Sequence, residues 1–206
     1  MSLTVLSHPL VESLLTELRD KNTTSSRFRR LCNRITTILA IEALRDLPTE
    51  SATVETPMET FHGRKLGCGV LIVPVLRAGL GMVEPILALV PNAQVGHVGI
   101  ERDHETALPR SYYSKIPALD GQRILVVDPM LATGGTGLHA IRSIQEQGGK
   151  KITVLSIIAA PEGVAAIEAA APGVAIFTAA LDRCLNAQKY ILPGVGDFGD
   201  RLMGTL

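Results

Sequence analysis

Apolar positions in the first fifth of the chain recur every three to four residues. Leu10, Val11, Leu14, Leu15 and Leu18 form one face behind Pro9, and Phe28, Leu31, Cys32, Ile35 and Leu39, with Ile41 at the end, form a longer second one. That spacing predicts two amphipathic helices within residues 9–45. Residues 53–61 alternate weakly and predict an edge strand, since Pro57 would interrupt the hydrogen-bond ladder of an interior one. The pattern then changes to short, almost continuous apolar runs at 70–73, 94–100, 124–127, 152–158 and 174–177, as expected of strands covered on both faces. Helical spacing separates most of them, at 80–90, 137–147 and 161–171. Strand–helix alternation of this kind predicts an α/β fold with a parallel β-sheet flanked by helices. Residues 181–206 are rich in glycine and turn formers and lack periodicity, so they are expected to cover another surface. No repeat or linker divides the chain. It reads as one domain, 1–206, with the helices 9–45 and the tail 181–206 as appendages.

Composition narrows the partners more than the fold. Twenty basic residues balance 20 acidic ones, so no broad field draws the protein to nucleic acid, and a small-molecule ligand is expected. Cys32, Cys68 and Cys184 are odd in number and widely spaced, which argues against a disulfide framework or a zinc site and for a reducing compartment. The first residues show no basic segment followed by an apolar one, and the longest apolar tract, 69–90, contains Pro74, Arg77, Glu84 and Pro85. Neither a signal peptide nor a membrane span is expected, and the reading is cytoplasmic.

One string is written for chemistry: Val127-Asp128-Pro129-Met130-Leu131-Ala132-Thr133-Gly134-Gly135-Thr136. It joins a buried strand to a helix, where the first N–H groups lack partners and the dipole favours an anion. Gly134, Gly135 and Gly137 allow the backbone to approach a ligand, and Thr133 and Thr136 add hydroxyls. The string is neither a Walker loop nor G-x-G-x-x-G. Asp128 would repel a phosphate placed on it but can accept hydrogen bonds from sugar hydroxyls one ring away, so the loop reads as a binder of a phosphorylated sugar. The alternative is an ordinary βα turn closed by glycines and capped by Asp128. The full string resembles the phosphoribosyl pyrophosphate (PRPP) loop of the uracil phosphoribosyltransferases. Most other type I phosphoribosyltransferases carry two adjacent acids where this chain has Val127 and Asp128.

Two further strings carry the same resemblance. Val75-Leu76-Arg77-Ala78-Gly79-Leu80-Gly81 is similar to the family's pyrophosphate loop, which implies that Arg77 binds the diphosphate; the alternative is a structural pair with Glu84. Arg102 is the second cation implied there, although Glu101 precedes it where relatives often carry an aromatic residue. The polar stretch 102–113 suits a mobile lid or a plain surface loop. Tyr190-Ile191-Leu192-Pro193-Gly194-Val195-Gly196-Asp197-Phe198-Gly199-Asp200 resembles the uracil-binding segment; a glycine-rich tail that merely wraps the core is the alternative. The resemblance implies that backbone groups at Ile191, Gly196 and Phe198 read the base and that Asp197 lies beside the reacting nitrogen and PRPP. Lys189 stands where relatives have a small residue.

Together these strings imply a type I phosphoribosyltransferase fold with a hood of terminal segments and an enzyme making UMP and diphosphate from uracil and PRPP. The implied PRPP contacts are Arg77, Arg102, the loop from Asp128 through Pro129, Met130, Leu131, Ala132, Thr133, Gly134 and Gly135 to Thr136, and Asp197. The implied cofactor is Mg2+, held mainly by PRPP itself. A homo-oligomer, dimer or tetramer, is implied as well, and some relatives respond to GTP as an effector. Two alternatives stay open: a nucleotide-sensing regulator that binds RNA, and a phosphoribosyltransferase for another base. His97 and His139 are expected to be core or surface residues, His8, His62 and His104 show no partner spacing, and no Ser-His-Asp or Cys-His pair is defensible. Cys184 is expected to be a passive thiol.

Overall fold

The computed structural model describes residues 2–102 and 109–205. The chain opens with a short strand, β1 (Leu3–Val5), followed by the helices α1 (Pro9–Arg19) and α2 (Ser25–Ala43). Both helices start where the sequence places capping groups. His8 Nδ1 accepts from the Leu10 N–H at 3.1 Å with Pro9 in the first turn, and Thr24 occupies the N-cap of α2. Their apolar faces are buried from Val11 to Leu39, with Leu14 partly so, but at the two ends Leu10 is 62% exposed and Ile41 54%. Ile41 falls off the stripe because Ala40 and Ala43 continue the buried face instead.

The alternating stretch around Pro57 is a separate hairpin and not an edge of the main sheet. β2 (Thr49–Glu55) pairs antiparallel with β3 (Thr60–Leu66), and Pro57 sits in the turn between them. Then come β4 (Val70–Pro74), a 3-10 turn (Ala78–Met82), α3 (Val83–Leu89) and β5 (Gln94–Val95). The expected strand at 94–100 is cut in two at Gly96, whose N–H donates to Ile72 O. Beyond it, β6 (His97–Arg102) leaves the main sheet and pairs antiparallel with β7 (Pro109–Lys115). The polar stretch after Arg102 therefore returns as a strand from Pro109 onward, while residues 103–108, the rest of the expected lid, lie outside the described residues.

The second half of the chain is βα alternation. β8 (Arg123–Val127), the two-residue β9 (Met130–Leu131) and α4 (Gly135–Glu146) precede β10 (Lys151–Ala159), α5 (Pro161–Ala170) and β11 (Ala175–Leu181). The tail forms a small antiparallel pair, β12 (Cys184–Leu185) with β13 (Ile191–Leu192), and ends in α6 (Phe198–Met203).

The main sheet is parallel throughout, in the order β1-β11-β10-β8-β4-β5, with β9 beside β10. Alternate residues serve two cores. Ile72, Leu125 and Leu155 face a layer containing Phe28, Leu31, Ile35 and Ile86 from α2 and α3. Leu71, Ile124 and Val154 face Ile141 and Ile144 of α4 and Ile167 of α5. Full burial of each such side chain contributes roughly 1.5–3 kcal/mol.

This strand order places the ligand site. From β4 the chain moves outward to β5, and from β8 it moves outward the other way, through β10 to β11. The carboxyl ends of β4 and β8, aligned at Pro74 and Val127, therefore flank a topological switch point where successive loops diverge and leave a crevice.

Candidate active site

On the β8 side of the crevice, the strand leaves the sheet at Asp128, whose N–H donates to Leu155 O at 3.0 Å. Pro129 O accepts from the N–H groups of Ile157 and Ile158, and the Leu131 N–H donates to Ser156 Oγ at 3.1 Å. The loop is thus stitched to β10 before it reaches α4. Gly134 takes φ +78° at the N-cap, and a Cβ there would come within 3.0 Å of Gly163 O, so glycine alone fits. The structure divides the string by role. Pro129, Leu131 and Gly134 are buried, whereas Asp128, Met130, Ala132, Gly135 and Thr136 are half-buried and Thr133 is exposed. Ala132 N–H is spent on Met130 O, which leaves the first turn of α4 to present amides.

Asp128 has an unusual environment for a carboxylate. One oxygen accepts from the Met130 N–H at 3.3 Å, and no ion pair to it occurs among the described residues. Desolvation by the packed loop pushes its carboxyl up to about 7, against the opposing pull of that hydrogen bond. Without a ligand the group is poised between its two protonation states at neutral pH.

On the β4 side, Val75 N–H donates to Val127 O at 2.9 Å and Gly79 N–H to Val75 O, and the Leu76–Arg77 peptide is cis. A Cβ on Gly79 would lie 2.4 Å from Val127 O, so this glycine is what lets the two loops touch. Arg77 is 65% exposed and does not pair with Glu84. Its Nη2 lies 3.5 Å from Asp200 Oδ1 in the tail, a long contact that leaves most of its donors available. Arg102 ends β6, which continues alongside this loop through a Val75–Val98 bridge; its side chain lies outside the described residues.

The tail closes the third side. Ile191 and Phe198 are buried, and Gly196 (φ +77°) and Asp197 are exposed. Asp197 caps α6, with Oδ1 accepting from Asp200 N–H at 2.9 Å, so its second oxygen keeps both lone pairs for a ligand. What holds this segment was absent from the sequence reading. Arg19 forms a bidentate pair with Asp182 (2.6 and 2.9 Å) and also donates to Gly194 O, while Asp182 accepts from Gly194 N–H. Arg201 donates to Val195 O at 2.9 Å and Asp20 O at 2.6 Å, with its guanidinium 4.5 Å from the Phe28 ring centroid. Burial lowers its pKa from the usual arginine value, against the opposing influence of Asp20. Phe28 in turn meets Phe198 edge to face at 4.7 Å.

The three segments meet: Gly79 against Val127, Gly199 facing Ala78, Arg77 near Asp200. A hollow lined by Gly121, Gln122, Gly149 and Lys150 sits at the opposite, amino ends of β8 and β10 and takes no part. The family model that matches this chain, over residues 5–205, is that described as uracil phosphoribosyltransferase. The chain belongs to the uracil phosphoribosyltransferase family.

Relatives support the assignment along the full length. A uracil phosphoribosyltransferase of Symbiobacterium thermophilum is 50% identical over 203 residues, covering 98% of this chain and 97% of the relative, and one of a Geobacillus strain is 48% identical over 207 residues with the same coverage. Among solved structures, the AQ2163 protein from Aquifex aeolicus superposes with a TM-score of 0.91 at 40% identity, covering 97% of both chains. A hypoxanthine-guanine phosphoribosyltransferase from Bacillus anthracis superposes at 0.54 with 11% identity, over 77% of this chain and 80% of that one, a likeness of fold.

The three cysteines are free; Cys32 is buried, and burial pushes its thiol up to about 12. His8 caps α1 and His62 contacts Thr53 Oγ1, partners the sequence spacing did not suggest, and His104 lies outside the described residues. No helix among the described residues is long and apolar enough to cross a membrane. No group of three or more His, Cys, Asp or Glu side chains is gathered among the described residues.

Proposed function

We propose that this uracil phosphoribosyltransferase-family chain transfers the 5-phosphoribosyl group of PRPP to N1 of uracil, releasing diphosphate and forming UMP. The observation that carries the reading is the contact of three differently equipped segments at one switch point: a phosphate-type loop with a single acid, an exposed arginine, and a glycine-rich tail. In this reading the amides of residues 133–136, with the Thr133 and Thr136 hydroxyls, hold the 5-phosphate. The ionised Asp128 accepts hydrogen bonds from the ribose hydroxyls. Arg77 and Arg102 take the diphosphate and offset its charge as the C1–O bond breaks, the step at which donors matter most. Mg2+, when bound to PRPP, adds further neutralisation of that leaving group.

Uracil N1 then forms the new bond to C1 directly, through a transition state with oxocarbenium character. The base presents acceptor, donor and acceptor along O2, N3–H and O4. Backbone groups at Ile191, Gly196 and Phe198 supply the complement, and cytosine would leave buried groups unpaired. Asp197, through the oxygen not used in capping, accepts or orients the N1 proton. Catalysis is otherwise positioning. The reading includes a cytosolic homo-oligomer, dimer or tetramer, supported by apolar side chains left exposed on the hairpin and helices: Met58, Phe61, Leu10 and Ile41. GTP enters as a candidate effector.

The test is product formation. Purified protein with PRPP and Mg2+ is offered uracil, cytosine, orotate, adenine or hypoxanthine, with and without GTP. UMP from uracil alone is expected. Nucleotide from another base, or none from any, would contradict the proposal.

A further inference from the structure

The proposed base-reading stretch offers main chain to its ligand, and main chain cannot be aimed by its own side chains. Its direction is set from behind. Asp182 (7% exposed) takes the Gly194 N–H, Arg19 takes the Gly194 C=O, and Arg201 (6% exposed) takes the Val195 C=O. The peptides that follow Pro193, Gly194 and Val195 are trans, because the cis bonds of the chain lie elsewhere, at Leu76–Arg77 and Leu192–Pro193. In a planar trans peptide the C=O and N–H point in opposite senses. Drawing the Val195 carbonyl inward to Arg201 therefore turns the Gly196 N–H outward, where Gly196 is exposed. Drawing the Gly194 carbonyl to Arg19 turns the Val195 N–H away from it in the same manner, and seating the Gly194 N–H on Asp182 turns the Pro193 carbonyl away.

We infer that Arg19, Asp182 and Arg201 are positioning residues that set base selectivity by fixing the peptide planes between Pro193 and Gly196, with no contact to the base. The inference rests on the uracil-transferring reading above. Charge explains the choice of side chains. Hydrogen bonds with an ionised partner are about twice as strong as neutral ones, and a buried carbonyl that loses its donor is left unsatisfied, so the planes have little freedom to rotate. The anchors come from α1, from the end of β11 and from α6, which is why α1 belongs to the site even though no residue of it is assigned to a substrate.

The experiment compares wild type with Arg201→Lys, Asp182→Asn and Arg19→Lys in initial-rate assays and in amide hydrogen exchange of residues 194–198. Arg201→Lys and Asp182→Asn are expected to raise KM for uracil about tenfold and to narrow the preference for uracil over cytosine, as unpaired groups do in discriminating sites. KM for PRPP should stay within about twofold, and exchange at Gly196 should accelerate while the central sheet is unchanged. Arg19 is partly exposed, so its variant keeps the fold if the others do not, and is expected to show the same split at about threefold. Faster exchange with an unchanged uracil KM would overturn the inference, as would both KM values rising together with a falling Tm. Failure of the uracil reading itself is visible separately, in a wild-type control that makes no UMP.

Discussion

The loop at Asp128 and the tail at Asp197 serve the same crevice but are held in different ways. The loop is local: its residues are contiguous, and it is stitched by main-chain bonds to β10 and by Ser156 Oγ. The tail is tied by side chains distant in sequence, Arg19 and Phe28 on one side and Asp182 on the other. A contiguous string can be recognised by its spelling. A clamp made from residues more than a hundred positions apart cannot, because each member taken alone reads as an ordinary charge or an ordinary core aromatic.

Substitutions in the two regions should separate accordingly. The largest effect is expected at the seam between them. Arg77→Ala should lower kcat/KM for PRPP about a thousandfold, the scale of losing a donor to a leaving group, with Tm almost unchanged because its contact to Asp200 is long and exposed. Steady-state kinetics with a thermal melt checks both halves of the statement. Next is Asp197→Asn, expected to reduce kcat about a hundredfold while KM for PRPP moves less than about twofold. Asn caps a helix as well as Asp, so circular dichroism should show the same melt; unchanged turnover would remove Asp197 from the chemistry.

A smaller effect follows from Asp128. Because burial holds its carboxyl near 7, the proton is retained below that pH and the acceptor for the ribose hydroxyls is lost. KM for PRPP should rise by up to about tenfold per pH unit below 7, the limit for one proton, and Asp128→Asn should show a weak but pH-independent KM. Smallest is the stability counterpart. The raised pKa of the folded form means that stability is fully present below the ordinary Asp value of 3.8 and falls as pH climbs to about 7. In differential scanning calorimetry without ligand, the Tm of Asp128→Asn should therefore gain steadily on wild type from pH 4 to 7 and level off above.

Much of the central architecture was readable from period alone. Runs such as Val70 to Val73 and Ile124 to Val127 are apolar on both faces because helices cover both, and the spacing of Leu138, Ile141 and Ile144 needs no tertiary information. Where reading failed, the cause was pairing. Leu3, Thr4 and Val5 make a strand only because Ile176, Phe177 and Thr178 lie beside them. Gly96 ends a strand inside an apolar run because the chain must leave the sheet for β6, and Pro57 marks a hairpin turn where the pattern suggested a sheet edge. The same limit applies to the site. Arg77 was legible in its glycine context, but its neighbour Asp200 comes from the far end of the chain, and the alternative partner Glu84 was nearer only in sequence. Asp182 carries no sequence signal of its role, since two of its three side-chain bonds are to the Arg19 guanidinium and the third is to the Gly194 N–H, groups that come into reach only after the tail folds over α1.

If one half of the site holds the phosphoribosyl group and the other, independently held, reads the base, the two substrates should respond to different residues. A paired determination of KM for PRPP and for uracil in Asp128→Asn and Asp182→Asn measures this. A cross is expected: the PRPP constant rising about tenfold or more in the first with uracil nearly unchanged, and the reverse in the second. Both constants shifting in proportion in both variants would contradict it.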